Sequence, residues 1–415
     1  MKKVIFFIVC GCLTILTGCW DRIEIENRAY ILGVAIDKYP PIPQTDRESK
    51  LETSEAEEEK FEMMELHSGE PMYAMTVQVP IIKKANLTVP TSAGGSGGGG
   101  GGGGEASRTW DITQVGNSFF EMNRELASRM SFIPYYEHLQ TIILSEEVAT
   151  QGIKDVLDFF VRDPEMRRRT KIFISPGYAK SILDVTPRIE DYPSVYLAEI
   201  PLNSSVSARI IYRTDLGEAV QNIQAGLDFI LPKVESTKDE LKVCKAVVFK
   251  GDKMVGELSE LEIEALKLIR NVYKGGVITA QNPADTEGII ALEVTKVKSK
   301  IIPVVNGQKV GFTVNLNIEG NYAENINMDA YQKIDTEYLA EVEKVFSAYI
   351  EQQCVDTVKR VQKDFNADIF QFNNILKTQK PAYWKQVKER WYDIFPGIDV
   401  QVKARVTIRQ VGNSR

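Results

Sequence analysis

Helical and strand-like periodicities alternate along residues 111–185, and this alternation constrains the fold more than any other feature of the chain. Apolar residues repeat at helical spacing in some stretches, while short runs rich in branched residues are typical of buried strands. The pattern predicts an α/β region in which helices cover a sheet. The predicted helices are Ile112–Met130, Val148–Val161 and Ala179–Val185, and the predicted strands are Leu139–Leu144 and Lys171–Ser175.

Two further strands precede this region, and two segments of unusual composition flank the second of them. The strands are predicted over Tyr30–Asp37 and Met72–Ile82, the second with apolar side chains at every other position. Residues 40–70 are strongly acidic, and residues 91–107 contain eight consecutive glycines. Neither segment can bury enough apolar surface to offset its chain entropy. We therefore expect two flexible loops that project from one N-terminal domain, residues 19–186.

The C-terminal part of the chain has the pattern of two hairpins and a long helix. Gly251-Asp252 and Asn306-Gly307 each lie between two predicted strands, and both dipeptides are typical of tight β-turns. A helix is predicted over Thr336–Lys363 with Asp335 as its N-cap. The chain closes with a predicted strand, Val400–Ile408. An antiparallel sheet packed with helices fits this part of the chain.

Apolar and aromatic side chains indicate which helix faces are buried. On the long helix, we expect a buried stripe of Tyr338, Val342, Val345 and Tyr349. Farther along the chain, Trp384 and Trp391 are seven residues apart, and we expect them to share one helix face and to pack. In the middle of the chain, a helical element is predicted over Leu216–Leu231, ending at Pro232.

The predicted fold class is therefore α+β or mixed α/β, in several domains. An N-terminal α/β region is followed by a C-terminal antiparallel sheet packed with helices. The expected units are a leader over residues 1–18, an N-terminal domain over 19–186, a middle connecting region or small domain over 187–240, and a C-terminal α+β domain over 241–415.

The first residues have the pattern of a secretory leader. Lys2-Lys3 precede an apolar run, Val4–Leu16, which is shorter than the roughly 20 residues that cross a bilayer. Leu16-Thr17-Gly18-Cys19 follows, and this is the lipobox pattern of bacterial lipoproteins. We predict cleavage before Cys19 and attachment of lipid to its thiol. The alternative is a plain signal peptide with an incidental cysteine, which is less favoured because Cys19 lies where cleavage is expected.

Charge and cysteine content restrict the partners of the chain. The net charge of −7 argues against nucleic acid, whose binding proteins present a cationic face, and against broad adhesion to anionic lipid. Cys10 and Cys12 leave with the predicted leader, and Cys19 is the predicted lipid site. Cys244 and Cys354 are expected to be buried free thiols, while a disulfide between them is the alternative outside the cytoplasm.

Side chains that commonly carry catalysis are scarce. The two histidines, His67 and His138, are not paired with cysteines in a metal-binding pattern, and we expect His138 to be a hydrogen-bonded core residue. Residues 94–98 match the GxSxG motif only inside the glycine tract, where the rigid strand-to-helix turn of that motif is missing. We predict that the protein is not an enzyme and holds no metal or cofactor other than a covalent lipid on Cys19.

A segment rich in arginine, residues 162–169, is the strongest candidate for contact with a partner. Guanidinium groups bind oxyanions in a bidentate manner, so Arg162, Arg167 and Arg168 are candidates for contact with lipid phosphate or with an acidic partner. The alternative is a helix C-terminus that basic side chains neutralise, with the acids of the segment paired locally.

Several segments of the chain, taken in order, match one known pattern. They are Leu16–Arg22 with Glu24, Leu32–Asp37, Tyr136–Thr141, Leu157–Arg167, Ala246–Lys253 with Val255-Gly256, Pro381–Lys385, Trp391, Phe395-Pro396 and the last strand. Together they resemble the Ger(x)C family, the lipoprotein C subunits of spore germinant receptors. The acidic and glycine-rich loops depart from the family pattern, and no function is assigned to them.

The resemblance implies a mixed α/β protein of three domains without enzymatic activity. It also implies a complex with a polytopic A subunit and a transporter-like B subunit in the inner membrane of the dormant spore. The expected function is that of a lipoprotein subunit of a nutrient germinant receptor, needed for germination and anchored on the outer face of that membrane. The alternative is a lipid-anchored solute-binding protein that captures the germinant directly, which needs a preformed pocket. A cell-wall hydrolase is a more distant alternative, because no constellation of carboxylates is evident.

Overall fold

The fold is that of a computed structural model, which describes residues 27–39, 72–81, 108–211, 215–237, 239–284, 288–326 and 334–411. The predicted leader, Cys19 and the predicted acidic and glycine-rich loops lie outside the described residues.

The N-terminal part of the protein is built on an eight-stranded mixed sheet. In chain order, the described strands of this part are β1 (Arg28–Tyr30), β2 (Gly33–Tyr39), β3 (Met72–Pro80), β4 (Thr109–Gly116), β5 (Ile133–Tyr135), β6 (Thr141–Ser145), β7 (Lys171–Ser175), β8 (Phe229–Ser236), β9 (Leu241–Lys250) and β10 (Lys253–Leu258). β1 and β5 form a separate parallel ribbon. The other strands lie in the order β10-β9-β8-β7-β6-β2-β3-β4, in which β2, β6, β7 and β8 are parallel.

Helices cover both faces of this sheet, as the predicted α/β arrangement requires. They are α1 (Phe119–Arg129), α2 (Glu146–Gln151), α3 (Lys154–Arg162), α4 (Lys180–Leu183), α5 (Pro193–Glu199) and α6 (Leu216–Ala225), with a 3-10 turn over Ile200–Ser205. α1, α2, α3 and α6 contribute to the core on one face. α4 and α5 contribute to a smaller core on the other face.

The C-terminal part of the protein is a four-stranded sheet packed with helices. Its strands are β11 (Gly276–Gln281), β12 (Ile289–Asn306), β13 (Lys309–Ile326) and β14 (Asp399–Val411). Its helices are α7 (Glu260–Ile269), α8 (Thr336–Arg360), α9 (Phe372–Gln379), α10 (Pro381–Val387) and α11 (Trp391–Ile394), and a π-helical turn over Val361–Phe365 extends α8. β11, β12 and β13 are antiparallel, as predicted, whereas β14 pairs in parallel with β13.

The long helix α8 packs on this sheet through a buried stripe at i, i+4 spacing. Asp335 caps it, because its carboxylate accepts a hydrogen bond from the Tyr338 backbone N–H at 3.0 Å. Tyr338 and Val342 are buried as predicted, whereas Val345 and Tyr349 are half-buried at the edge of the stripe. The stripe continues instead through residues that the predicted spacing missed, which are Phe346, Ile350 and Cys354.

One strand, β9, is shared by the cores of both parts of the protein. Val247 and Phe249 point into the core under the eight-stranded sheet, while Ala246 and Val248 belong to the core of the C-terminal part. Alternate side chains of a strand point to opposite faces, so one strand serves both cores. Consequently the eight-stranded sheet continues past residue 240, where a boundary between domains was expected, and includes the hairpin of β9 and β10.

Two segments differ from the predicted secondary structure. Residues 112–116, predicted as helix, belong to β4, because they pair with β3 and a partner strand cannot be read from the periodicity of one segment. The helix begins only at Phe119, after the N-cap Ser118. The helical element predicted to end at Pro232 stops at Ala225, because Gly226 takes a left-handed conformation at φ 64°, and Pro232 lies in β8.

Two predicted helices are each interrupted. The helix predicted over residues 148–161 is divided into α2 and α3 at Gly152, which has φ 129°. Trp384 lies on α10 and Trp391 begins α11, with a 3-10 turn between them, so the prediction of one shared helix is wrong. Their packing is nevertheless confirmed, since the ring centroids are 5.6 Å apart in an edge-to-face arrangement.

Candidate functional site

The arginine-rich segment lies in the turn between α3 and β7. Arg162 belongs to the last turn of α3, and its Nε donates to the Asp158 carboxylate one helical turn earlier at 2.6 Å. The Asp163 carboxylate accepts a hydrogen bond from the Glu165 backbone N–H at 2.9 Å. These contacts agree with local pairing at a helix C-terminus, so Arg162 already has an acidic partner within its own helix.

Ion pairs connect this segment to the β1–β5 ribbon. Arg167 lies 3.6 Å from the Glu137 carboxylate, and Arg28 lies 3.7 Å from the Glu165 carboxylate. Glu165 also accepts a hydrogen bond from the Tyr136 backbone N–H. The Tyr135 side chain lowers the pKa of Glu137 through a hydrogen bond, whereas burial raises the pKa of Glu165. The segment is therefore fixed to the chain that precedes β6.

Arg168 and Arg169 are exposed, as Arg162 is, whereas Arg167 is half-buried. Within the described part of the chain, neither Arg168 nor Arg169 makes an ion pair with an acidic side chain. The Arg168 carbonyl accepts a hydrogen bond from the Gly217 backbone N–H at 2.8 Å, which fixes the backbone but leaves the guanidinium outside. Of the three candidates predicted from the sequence, Arg168 is therefore the most available to a partner, Arg167 is half-exposed, and Arg162 is paired locally.

Aromatic rings line the ribbon beside these charges. The Arg28 guanidinium lies 4.0 Å from the centroid of the Tyr135 ring, a distance typical of a cation–π contact. His138 is exposed, and its ring lies 5.1 Å from that of Tyr30 in an edge-to-face arrangement. The expectation that His138 is a hydrogen-bonded core residue is wrong. It lies in the turn before β6, where the neighbouring apolar residue Leu139 enters the core in its place.

A second candidate site is a cavity of about 590 Å³, here called the junction cavity. It lies between the two parts of the protein, and its walls come from α6, the start of β8, the C-terminal end of α7 and Gln371. Lys267 lies in its wall and is 5% exposed, with its ammonium group donating to the Ile210 carbonyl at 3.0 Å. Burial lowers the pKa of Lys267 to about 8. The volume lies within the range of small-molecule pockets.

Two buried acids, Asp228 and Asp368, lie beside this cavity and connect the two parts of the protein. The Asp228 carboxylate accepts hydrogen bonds from the Asp368 backbone N–H at 2.6 Å and from the Tyr392 hydroxyl at 3.0 Å. Asp368 in turn accepts from the backbone N–H groups of Phe372 and Asn373 at 3.0 and 2.7 Å, which caps the start of α9. Burial raises the pKa of both acids, that of Asp368 to about 8.

These acids and the aromatic contacts of the ribbon were not predicted from the sequence. The position of Asp368 four residues before Phe372, just ahead of a short amphipathic helix, was an available signal for a capping role. No comparable signal marks Asp228 or the contact of Arg28 with Tyr135, because their partners lie more than 100 residues away in the chain.

Groups with catalytic potential are few within the described residues. No group of three or more histidine, cysteine, aspartate or glutamate side chains is placed to hold a metal ion there. The glycine tract with the GxSxG match lies outside those ranges. Cys244 and Cys354 are free and buried, as expected, and burial raises the pKa of the Cys244 thiol to about 11. A high thiol pKa makes a cysteine a poor nucleophile at neutral pH.

The helices over the described ranges include none that is both long enough and apolar enough to cross a bilayer.

Comparisons with known proteins identify the family. The profile described as "Spore germination protein N-terminal domain" matches residues 21–236, and the profile "Spore germination B3/ GerAC like, C-terminal" matches residues 245–412. Together they span nearly all of the chain after the predicted leader. The two profiles match in the same order along the chain as the segments that resemble the family in the sequence.

Individual relatives agree with these profiles. Spore germination protein YndF of Bacillus subtilis (strain 168) is 29% identical over 98% of this chain and 96% of its own length. Spore germination protein B3 of the same organism is 25% identical over 96% of this chain and 94% of its own length. Spore germination protein A3, also from that organism, is 23% identical over 97% of this chain and 96% of its own length.

A solved structure shares the fold. The crystal structure of the GerBC protein superposes with a TM-score of 0.56 at 22% sequence identity, covering 81% of this chain and 94% of that chain. This similarity confirms the mixed α/β architecture with an N-terminal sheet region and a C-terminal sheet packed with helices. The chain therefore belongs to the Ger(x)C family of GerAC-like spore germination proteins.

Proposed function

We propose that this chain is a non-enzymatic, lipid-anchored subunit of a nutrient germinant receptor on the outer face of the spore inner membrane. The observation that carries the proposal is the match of both family profiles, in order, over residues 21–236 and 245–412. Relatives named as spore germination proteins A3, B3 and KC align with nearly the whole chain. The role needs a folded binding scaffold and no reaction centre.

The proposed partners are a polytopic A subunit and a transporter-like B subunit. Arg167 and Arg168 are the candidates for contact with an acidic partner or with lipid phosphate, because both guanidinium groups reach solvent next to the β1–β5 ribbon. Arginine binds carboxylates or phosphates in a bidentate manner, and Arg168 does so without the loss of an ion pair, whereas Arg167 first separates from Glu137. Lipid on Cys19, supported by the lipobox in the sequence, keeps the subunit at the membrane beside these partners.

Deletion of the chain tests the receptor role. Spores without it are expected to lose nutrient-triggered release of dipicolinate, while a trigger that acts independently of receptors still releases it. Complementation of the deletion strain with the wild-type chain is the matched control and is expected to restore the nutrient response. A nutrient response that is unchanged in deletion spores, in a strain without a second receptor for the same nutrient, contradicts the proposal.

The junction cavity supports a second candidate, direct capture of the germinant by a lipid-anchored solute-binding protein. Its volume of about 590 Å³ accommodates a small nutrient, and the wall contains both buried apolar and charged side chains. Titration calorimetry of the protein with nutrients tests this function. Saturable heat in the micromolar range that Asn222→Trp abolishes supports capture, since Asn222 lines the cavity and a larger side chain fills it. Flat heats for every nutrient favour the scaffold role.

A further inference from the structure

One end of the eight-stranded sheet, here called the sheet end, gathers segments that are distant in the sequence. The parallel strands β2, β6 and β7 begin there, with Gly33 paired to Thr141 and Thr141 paired to Lys171. β3 finishes and β4 begins at the same end, because Gln78 pairs with both Gly33 and Asp111. The arginine-rich segment leads into β7, so it also lies at the sheet end.

The β1–β5 ribbon lies at the sheet end, because β1 leads directly into β2. Tyr30 pairs with Tyr135 at the base of the ribbon, where the Ile31 backbone N–H continues the pairing by donating to the Tyr135 carbonyl. Arg28 pairs with Ile133 at the outer tip, farther from the first residue of β2. The tip is therefore the part of the described fold that lies nearest in sequence to Cys19.

Large apolar side chains are exposed at the sheet end. Phe132 and Ile133 at the ribbon tip are 45% and 50% exposed. Trp110 and Ile81, at the adjoining ends of β4 and β3, are 49% and 43% exposed. Leu202, which shares a surface groove with Arg168, is 57% exposed. Exposed apolar side chains grouped on one surface mark an interaction site more often than single ones do.

Cations accompany these apolar side chains, and acids lie among them, since Asp215 and Glu218 line the groove that Arg168 shares with Leu202. Arg168 and Arg169 are exposed at the sheet end, and Arg167 is half-exposed. Glu137 is paired with Arg167, and Glu165 is paired with Arg28. The surface therefore combines unpaired cations with apolar and aromatic groups, although the chain as a whole has a net charge of −7.

We propose that the sheet end lies against an anionic phospholipid surface. The inference rests on the proposed lipid anchor, because Arg28 follows Cys19 by only nine positions, and even a fully extended chain of nine residues spans about 30 Å. Arg168 and Arg169 bind headgroup phosphates, and Phe132 and Ile133 enter the interfacial layer. Attraction of these cations to anionic headgroups adds to the attachment that the lipid on Cys19 provides.

Sedimentation with lipid vesicles tests this inference on the chain from residue 19 onward. This form contains every described residue, and Cys19→Ala removes the site of lipidation. The vesicles contain equal parts phosphatidylglycerol and phosphatidylcholine in one series and only phosphatidylcholine in the other. We expect at least tenfold stronger binding to the anionic vesicles, and we expect it to weaken as salt increases.

Two variants with matched controls assign the binding to the sheet end. The triple substitution Arg167→Gln, Arg168→Gln and Arg169→Gln is expected to weaken binding about a hundredfold, since each surface cation contributes about fivefold. Its control removes three exposed cations that lie side by side on the C-terminal sheet, by Lys300→Gln, Lys403→Gln and Arg405→Gln, and is expected to change binding less than twofold.

The apolar contribution has its own pair of variants. Phe132→Ser with Ile133→Ser is expected to weaken binding about tenfold. Val277→Ser with Val304→Ser, which removes apolar side chains of similar exposure from the C-terminal sheet, is the control and is expected to leave binding unchanged.

The results separate this inference from the proposed receptor role. Absence of binding to anionic vesicles, or equal loss of binding in the arginine triple and in its control triple, overturns the lipid-facing sheet end while leaving the deletion test untouched. The lipid-facing sheet end is also overturned if the wild-type chain binds the A and B subunits but not vesicles, and if the triple substitution of Arg167, Arg168 and Arg169 abolishes that binding. The sheet end is then a protein-binding surface. Failure of the deletion test with intact vesicle binding contradicts only the receptor role.

Discussion

The sheet end and the junction between the two parts of the protein use charged side chains in opposite ways. At the sheet end, arginines reach solvent and their acidic partners lie on neighbouring surface segments. At the junction, Asp228 and Asp368 are buried, and their carboxylates accept hydrogen bonds from backbone and hydroxyl groups. Exposed ion pairs contribute little to stability, whereas buried acids are costly to disturb. Substitutions of charged side chains are therefore expected to cost more stability at the junction than at the sheet end.

The largest loss of stability is expected from a substitution in β9, the strand that both cores share. Phe249 is fully buried in β9 and stacks on Phe229 with ring centroids 5.0 Å apart. Phe249→Ala is expected to lower the free energy of unfolding by about 4 kcal/mol, because it leaves a cavity in the core. Urea denaturation followed by circular dichroism measures the change. Phe132→Ala at the sheet end is the matched control. An equal loss of unfolding free energy in this variant contradicts the view that the sheet end contributes less to stability than the shared core.

A smaller effect is expected at the buried acid of the junction. Asp368→Ala leaves the backbone N–H groups of Phe372 and Asn373 without their acceptor, which is expected to cost about 3 kcal/mol of unfolding free energy. Asp393, an exposed acid on α11, provides the control variant Asp393→Ala. Similar denaturation midpoints for the two variants contradict a structural role for Asp368.

The pH dependence of stability gives a second test of the role of Asp368 at the junction. Burial raises the pKa of Asp368 to about 8, so the folded protein holds this proton at pH values where the unfolded chain has lost it. The contribution of Asp368 to the free energy of unfolding is therefore fully present below about pH 4, and it falls as the pH rises to about 8. We expect the urea midpoint to fall between pH 5 and pH 8, and to fall less in Asp368→Asn. An identical fall in wild type and variant contradicts the assignment.

The smallest effect on stability is expected at the arginines. Arg167→Glu with Arg168→Glu removes one surface ion pair, and we expect the free energy of unfolding to change by less than about 1 kcal/mol. The same double variant is expected to weaken retention of the chain in isolated spore membranes. Unchanged retention contradicts a binding role for these arginines, whereas a large loss of unfolding free energy contradicts their placement on a surface that contributes little to stability.

Features with local causes were predictable from the sequence. The hairpin turns at Gly251 and Gly307, which have φ of 64° and 60°, and the cap of α8 at Asp335 depend on residues within a few positions. The buried strand β7 was predicted over its full length because its run of branched residues is closed by Pro176-Gly177. These elements formed where the residue pattern placed them.

Features that depend on distant partners were not predictable in this way. The segment 112–116 matches helical spacing, yet β3 draws it into the sheet, and β9 joins that sheet from beyond the expected boundary. The same holds for the candidate site. The sequence identified Arg167 and Arg168 as candidates, but their position beside Arg28 and the exposed Phe132 depends on a ribbon formed by β1 and β5.

Spores that carry Cys19→Ala test most directly whether the chain acts as a lipid-tethered receptor subunit. We expect nutrient-triggered release of dipicolinate to be lost, while release by a receptor-independent trigger stays intact. A normal nutrient response with the protein still at the membrane contradicts the requirement for the lipid tether. A normal response with the protein absent from the membrane, in a strain without a second receptor for the same nutrient, contradicts the receptor function itself.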